Sequence, residues 1–296
     1  NLKLANMFRR GVEVQKDPQR ANAYYLDYLK RTPAPKSPWS DYFEAIGEVG
    51  WFMLKYSAND QQKGEGKAKL EEAATKNYAP AQYKLAKLYE KENKKQEATK
   101  YYQEASKLRI SIKLEDEAVT KAKYKLAIIY LQEDLKEEAL KLLEEAAEKG
   151  YTLAQLRLGE LYKKEKNFEQ SLSYYEQAAK LYNLEQLYNI KKESLKTSKK
   201  TAQRKSEAYY KMASIYYKIP YVMDYYNAKR NLLEYLFYEE NHHSKRYKEA
   251  CYRLAKIYLT AQGGLKAPDL DLALIYFKKA QGLEKKKISL NNLKSK

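Results

Sequence analysis

Hydrophobic positions recur along the chain with the three- and four-residue spacing of an amphipathic helix. The clearest example is residues 122–130, which read Ala-x-x-x-Leu-Ala-x-x-Tyr, followed by residues 139–150, which read Ala-x-x-Leu-Leu-x-x-Ala-Ala-x-x-Gly. A small residue lets two helix backbones approach closely, and a large residue one turn away fills the neighbouring groove. The pattern therefore predicts a hairpin of two packed helices.

This pair of patterns returns along the whole chain. Copies of the first pattern begin at Ala81, Ala122, Ala154, Ala208 and Ala250, and looser copies begin at Leu4 and Ala45. Because one hairpin cannot bury its apolar face alone, neighbouring hairpins must stack. We predict an all-α protein of about seven helix-turn-helix repeats in a single domain, 1–296. The predicted repeats span approximately residues 1–31, 39–78, 79–107, 122–151, 152–180, 206–241 and 247–282, with a frayed basic tail over 282–296.

Polar residues stand where the second helices should begin. Asp17, Asn167, Asp224 and Asp269 each lie four residues before the small residue that starts a second-helix pattern. Their side chains are the acceptors that free backbone N–H groups need at a helix N-terminus. Two intervals are irregular: residues 108–121 are an insert or a helix extension, and extra residues also lie in 182–205.

The stretch Leu4-Ala5-x-x-Phe8-x-x-Gly11-x-x-Val14-x-x-Asp17-x-x-Arg20-Ala21 resembles the Sel1-like repeat, and residues 258–273 resemble it too. Middle copies without the Gly-rich turn, such as residues 162–168, are more similar to the related tetratricopeptide repeat. The resemblance covers nearly the whole chain and implies a right-handed α-solenoid. It further implies an adaptor or scaffold, because the members of this family are mostly adaptors and scaffolds.

The balance of charge suggests an anionic partner. Against 39 acidic residues the chain has 57 Lys and Arg, a net charge of +18. Such a charge favours nucleic acid, anionic lipid or an acidic protein, although a Lys-rich solvated surface is the alternative. No apolar run is long enough to predict a transmembrane helix.

Catalytic signatures are lacking in the sequence. It contains no nucleophile elbow, phosphate-binding loop or zinc-protease motif. Two adjacent histidines, His242 and His243, point in different directions, so an exposed polar helix end is favoured over a metal site. The single cysteine, Cys251, directly follows Ala250, which begins a first-helix pattern, and is expected to be a packed structural thiol. We therefore predict no enzyme activity, no catalytic residues, no cofactor and no metal.

Candidate partner-binding residues follow from the resemblance, which implies that one side of the first helices lines a concave surface. On that side lie Tyr83, Lys87, Tyr124, Ile128, Leu131, Leu156, Glu160, Tyr210, Tyr217, Tyr252 and Lys256. Tyr among charged residues suits protein or peptide binding, since it supplies contact area at a low entropy cost. The alternative is that these tyrosines are partly buried spacers between hairpins.

Three hypotheses for the function remain. The first is a scaffold that binds a protein or peptide of acidic character on its concave face. The second is a basic solenoid that binds nucleic acid or another anionic surface. Third, bacterial Sel1-like proteins include envelope adaptors, virulence factors and toxin-immunity proteins. This last hypothesis favours the cell envelope, the periplasm or the exterior over the cytoplasm, although the chain itself shows no targeting signal.

Overall fold

The computed structural model describes residues 1–34, 41–107, 113–180, 195–220, 222–239 and 241–282. Within these ranges the chain forms helices and turns and no β-strand. The helices are α1 (Leu2–Arg10), α2 (Pro18–Arg31), α3 (Asp41–Tyr56), α4 (Asp60–Thr75), α5 (Ala79–Lys91), α6 (Lys95–Ser106), α7 (Lys113–Gln132), α8 (Lys136–Glu148), α9 (Thr152–Lys164), α10 (Phe168–Lys180), α11 (Leu195–Lys218), α12 (Tyr225–Tyr238), α13 (Lys245–Leu259) and α14 (Leu270–Gln281). The predicted all-α helical-repeat fold is confirmed.

Consecutive helices pair into hairpins, from α1 with α2 to α13 with α14. The hairpins fall into two compact units. The first unit, Asn1–Tyr151, contains α1 to α8, and the second, Thr152–Lys296, contains α9 to α14. The arrangement of all hairpins in one solenoid domain stays a prediction.

Two helices begin earlier than the repeat pattern. Helix α7 starts at Lys113, so the described part of the irregular interval 108–121 is a helix extension. Ala118 and Val119 of this extension are buried, which explains why it folds as helix. Helix α11 starts at Leu195 and takes up the end of the interval 182–205. The rest of that interval and the basic tail after Gly282 lie outside the described residues.

The predicted helix starts are confirmed at atomic level. Asp17, Asp224 and Asp269 each accept a hydrogen bond from the backbone N–H three residues on, at 2.9 to 3.0 Å. Asn167 accepts the same bond at 3.2 Å. These side chains satisfy N–H groups that the helix itself leaves without partners.

Stacked aromatic rings join the two helices within hairpins. The pairs Phe8–Tyr24, Tyr89–Tyr101, Tyr162–Tyr174 and Tyr258–Tyr276 have ring centres 5.5 to 5.7 Å apart and nearly parallel planes. One residue after each second-helix ring comes a buried aromatic side chain: Tyr25, Tyr102, Tyr175 or Phe277. In the described residues, the most deeply buried tyrosines, which are Tyr25, Tyr102, Tyr175 and Tyr235, thus all lie on second helices, whereas both helices of a hairpin supply large aliphatic core side chains.

No helix in the described part of the chain is both long enough and apolar enough to cross a membrane.

Candidate partner-binding surface

The first helices of the hairpins are α1, α3, α5 and α7 in the first unit and α9, α11 and α13 in the second. We call the surface that carries the predicted binding residues the first-helix face of each unit. The first unit contributes Tyr83, Lys87, Tyr124, Ile128 and Leu131. The second unit contributes Leu156, Glu160, Tyr210, Tyr217, Tyr252 and Lys256.

The five tyrosines of this face are half-buried, and Tyr83, Tyr124, Tyr210 and Tyr217 contact another ring. The Tyr83 ring lies 5.9 Å from that of Tyr102, and the Tyr210 ring lies 5.1 Å from that of Tyr235. Burial raises the pKa of Tyr83 and Tyr210 to about 12 each. Each ring therefore packs against the buried tyrosine of its own hairpin and leaves part of its surface accessible.

The apolar members of the predicted set differ in burial. Leu156 is only 5% exposed and belongs to the core of the second unit, where Phe168 and Tyr175 also lie. It is therefore a core residue and is not accessible to a partner. Ile128 and Leu131 are half-buried.

In five first helices, a lysine or arginine lies three residues after the alanine that begins the first-helix pattern. This regularity was not predicted from the sequence. These residues are Lys84, Lys125, Arg157, Lys211 and Arg253. Three of them pair with a carboxylate on the preceding first helix: Lys84 with Glu48 at 2.5 Å, Lys125 with Glu90 at 2.8 Å, and Lys211 with Glu160. Much of the positive charge near the helix crossings is thus neutralised between neighbouring hairpins.

Arg253 is the most deeply buried of these cations, at 4% exposure. Its guanidinium lies 5.7 Å from the Tyr210 ring centre and 5.2 Å from that of Tyr217. It donates hydrogen bonds to Ser214 Oγ, at 3.1 Å, and to Glu249. Two predicted binding residues, Tyr210 and Tyr217, are therefore held in place by one arginine.

Other lysines of the first-helix face have no carboxylate partner in the described residues. Lys87 and Lys256 each lie over a ring, 5.9 Å from Tyr83 and 5.1 Å from Tyr252. Burial and nearby cations together lower the pKa of Lys87. Lys163 lies in the last turn of the first helix α9, and its pKa is lowered first by burial and then by Lys211, Lys218 and Arg253. Lys87 and Lys163 are thus partly buried cations without an ion pair in the described residues.

A buried charge network lies in the first unit. Glu48, 7% exposed, bonds Lys84 and lies 3.9 Å from the Nε atom of Arg9. Arg9 Nε also donates to the Tyr25 hydroxyl at 3.0 Å, and that hydroxyl donates to Asn6 Oδ1 at 2.8 Å. These contacts join α1, α2, α3 and α5.

The candidate metal and thiol residues have ordinary surroundings. His242 and His243 are exposed in the turn before α13, and the His242 ring stacks on Tyr247 at 4.8 Å. Cys251 is buried and forms no disulfide, as predicted. In the described part of the chain, no three His, Cys, Asp or Glu side chains are grouped in a way that suits a metal ion.

Paired helices that cross at small residues define the class of helical-repeat proteins. The Sel1 repeat model matches residues 1–26, 120–151 and 248–280, and a tetratricopeptide repeat model matches residues 79–109 and 153–183. Together these matches support a repeat protein of the Sel1-like, tetratricopeptide-related kind. The predicted mixture is confirmed, except that residues 120–151, a middle copy, match the Sel1 model.

One of the similar solved structures supports the same fold. A Sel1 repeat protein from Oxalobacter formigenes aligns with a TM-score of 0.53 and 17% identity, over 99% of this chain and 74% of that one. The quorum sensor NprR from B. thuringiensis, in its apo form, aligns with a TM-score of 0.47 and 15% identity, over 98% and 77%. BtubC from P. vanneervenii aligns with a TM-score of 0.45 and 17% identity, over 90% and 87%. Comparison with curated protein sequences gives no match.

Both repeat families are generally scaffolds for protein interactions, without enzymatic activity.

Proposed function

We propose that this chain is a protein-interaction scaffold whose first-helix faces bind an acidic segment of a partner protein. The family supports a protein partner, and the charge of the face supports an acidic one. The observation that carries the proposal is that Lys87 in the first unit and Lys256 in the second lie over tyrosine rings and pair with no carboxylate in the described residues.

A partly buried cation raises the free energy of a surface unless an anion neutralises it. Lys163 is half-buried, and the nearby Glu160 pairs with Lys211 and Arg157. A carboxylate from a partner that reached Lys163 would supply the counter-charge that this lysine lacks in the described residues. Tyr217 and Tyr252 add ring surface and hydroxyl groups nearby in the same unit.

A protein partner is favoured over nucleic acid because of the state of the aromatic rings. Sequence-tolerant binding of single strands needs exposed rings on which bases stack. In the described residues, Tyr83 and Tyr210 of the first-helix face already pack against rings of their own hairpins. The net charge of +18 still makes non-specific binding of nucleic acid at low salt an effect to control for.

Charge reversal on this face is expected to abolish binding of the partner. The test compares the wild type with Lys87→Glu and with the double variant Lys163→Glu, Lys256→Glu in affinity capture from a lysate of the source organism. We expect one discrete acidic protein to be retained by the wild type at about 0.15 M salt, where exposed charges more than about 8 Å apart are largely screened. At least one of the two variants should lose it, by tenfold or more in the amount captured.

The matched control changes the same charges on second helices. Lys100→Glu is the control for Lys87→Glu, and the double variant Lys141→Glu, Arg230→Glu is the control for Lys163→Glu, Lys256→Glu. The three control residues are exposed on the second helices α6, α8 and α12. Equal capture by every variant would contradict the proposal. Retention of nucleic acid in place of a protein would favour the basic solenoid hypothesis. The identity of the captured protein separates an envelope adaptor, a virulence factor and a toxin-immunity protein.

A further inference from the structure

A pocket of about 220 Å³ opens in the first unit, where residues of α1, α2, α3 and α5 meet. The buried Tyr25 and Glu48 line it, together with the half-buried rings of Trp51 and Phe52. An apolar cavity of about 150 Å³ is known to hold benzene. This pocket is therefore large enough for one bulky side chain, and Trp51 and Phe52 offer that side chain an aromatic wall.

The charge around the pocket is unbalanced. Four cations line it, namely Arg9, Lys16, Lys55 and Lys84, and Glu48 is the one carboxylate among the lining residues. Glu48 is already bonded to Lys84, so it does not neutralise the remaining lysines. The positive excess of Arg9, Lys16 and Lys55 attracts an anionic group.

Arg9 retains hydrogen-bond donors for such an anion. Its bonds to Asn6 and Tyr25 use Nε and one terminal nitrogen of the guanidinium. A guanidinium has five N–H donors, and it binds carboxylates through two parallel bonds when both oxygens are accessible. The other terminal nitrogen of Arg9 has no bond in the described part of the chain.

We infer that this pocket anchors a peptide segment in which a bulky apolar side chain stands next to carboxylates. The apolar side chain packs on Trp51 and Phe52, and the carboxylates bind Arg9 and Lys55. A neutral or basic segment leaves the positive charges uncompensated and binds weakly. The inference rests on the proposed scaffold function and names the anchor site of that function in the first unit.

The test uses the fluorescence of Trp51. The chain has two tryptophans, so Trp39→Phe leaves Trp51 as the sole one. This variant is titrated with blocked pentapeptides Gly-Glu-X-Glu-Gly, where X is Leu, Met or Phe, and with the same peptides carrying Gln or Lys in place of Glu. We expect a saturable change of Trp51 emission with at least one Glu peptide. Its Gln counterpart should bind at least tenfold more weakly, and its Lys counterpart should give no change.

A second variant locates the site. Lys55 is exposed, so Lys55→Glu leaves the fold intact and should weaken binding of the Glu peptide tenfold or more. Lys30→Glu makes the same charge change at an exposed position outside the pocket and should bind as the parent does. The inference is overturned if no Glu peptide changes the emission, or if Lys55→Glu and Lys30→Glu bind equally.

Failure of this inference and failure of the proposed function give different results. If the pocket is not an anchor, the peptides leave Trp51 unchanged while the captured partner is still retained by the first-helix faces. If the scaffold function is wrong, no discrete protein is captured, whatever the peptides do.

Discussion

Replacing Gly50 by alanine is expected to destabilise the first unit by about 3 kcal/mol, the upper end of the usual cost of overpacking. A Cβ atom at Gly50 would lie 2.5 Å from the carbonyl oxygen of Gly66 and 2.9 Å from the backbone nitrogen of Leu70. Both are backbone atoms of α4, so no side-chain rotation relieves the clash and the two helices must separate. The higher helix propensity of alanine offsets only about 0.5–1 kcal/mol of this cost.

Gly64 provides the matched control, because it lies in the same hairpin with nothing within 4 Å of its Cβ position. Gly64→Ala is expected to stabilise the unit by about 0.5–1 kcal/mol, which is the opposite sign. Urea unfolding, followed through Trp51 in the Trp39→Phe background, reports on the first unit alone. Equal midpoints for the two variants would show that α3 and α4 do not touch at Gly50.

The sequence was sufficient to predict the hairpins, because their packing depends on local and periodic features. Small residues recur at fixed steps, one turn from large ones. Core residues such as Ala81 and Leu85 can therefore be recognised from the sequence alone. The N-caps are equally local, since Asp17 and the N–H group it binds are three residues apart. Such features do not depend on how distant hairpins are arranged.

The binding face was less predictable, because exposure depends on what packs against each residue. Leu156 and Tyr252 occupy the same position of the repeat, but Leu156 is buried in a core cluster and Tyr252 is half-buried. The short aliphatic side chain of Leu156 stays between the helices, whereas the lysine and tyrosine side chains elsewhere on the face reach water. Repeat position alone therefore does not determine accessibility.

The charge pairs between hairpins show a second limit. The cations three residues after each alanine are visible in the sequence, but their partners follow no fixed spacing. Glu48 lies three residues after Ala45, the alanine that begins its pattern, whereas Glu160 lies six residues after Ala154. Both carboxylates reach a lysine of the next first helix, Lys84 and Lys211 respectively. Only the stacked structure identifies these pairs.

Removing the carboxylate of Glu48 is expected to cost the first unit about 3–5 kcal/mol, the usual effect of breaking a buried ion pair from one side. Glu48→Gln keeps the shape of the side chain and leaves the buried ammonium of Lys84, 15% exposed, without its counter-charge. Glu133→Gln is the matched control, because the Lys95–Glu133 pair is exposed and should contribute less than about 1 kcal/mol. Urea unfolding of both variants at pH 7 measures the difference.

Replacing both members of the pair tests whether the loss comes from the unpaired charge. Because two neutral side chains of similar size remove both charges of this pair, Glu48→Gln with Lys84→Met should be more stable than Glu48→Gln alone. A double variant less stable than Glu48→Gln would mean that Lys84 stabilises the unit without Glu48, through its contact with the Trp51 ring at 5.7 Å.

The pH dependence provides an independent check on the same carboxylate. Burial by itself raises the pKa of Glu48, but Lys84 and Arg9 outweigh burial and hold the pKa below its ordinary value of 4.5. A lowered pKa in the folded state means that the unfolded chain takes up the proton first as the pH falls. The stability due to ionised Glu48 is therefore fully present above pH 4.5 and is lost as the pH falls through the folded pKa. Glu48→Gln has no such group, so the gap between it and the wild type should be widest near neutral pH and should shrink steadily below pH 4.5. A gap of constant size down to the acid limit would mean that Glu48 acts through its shape and not through its charge.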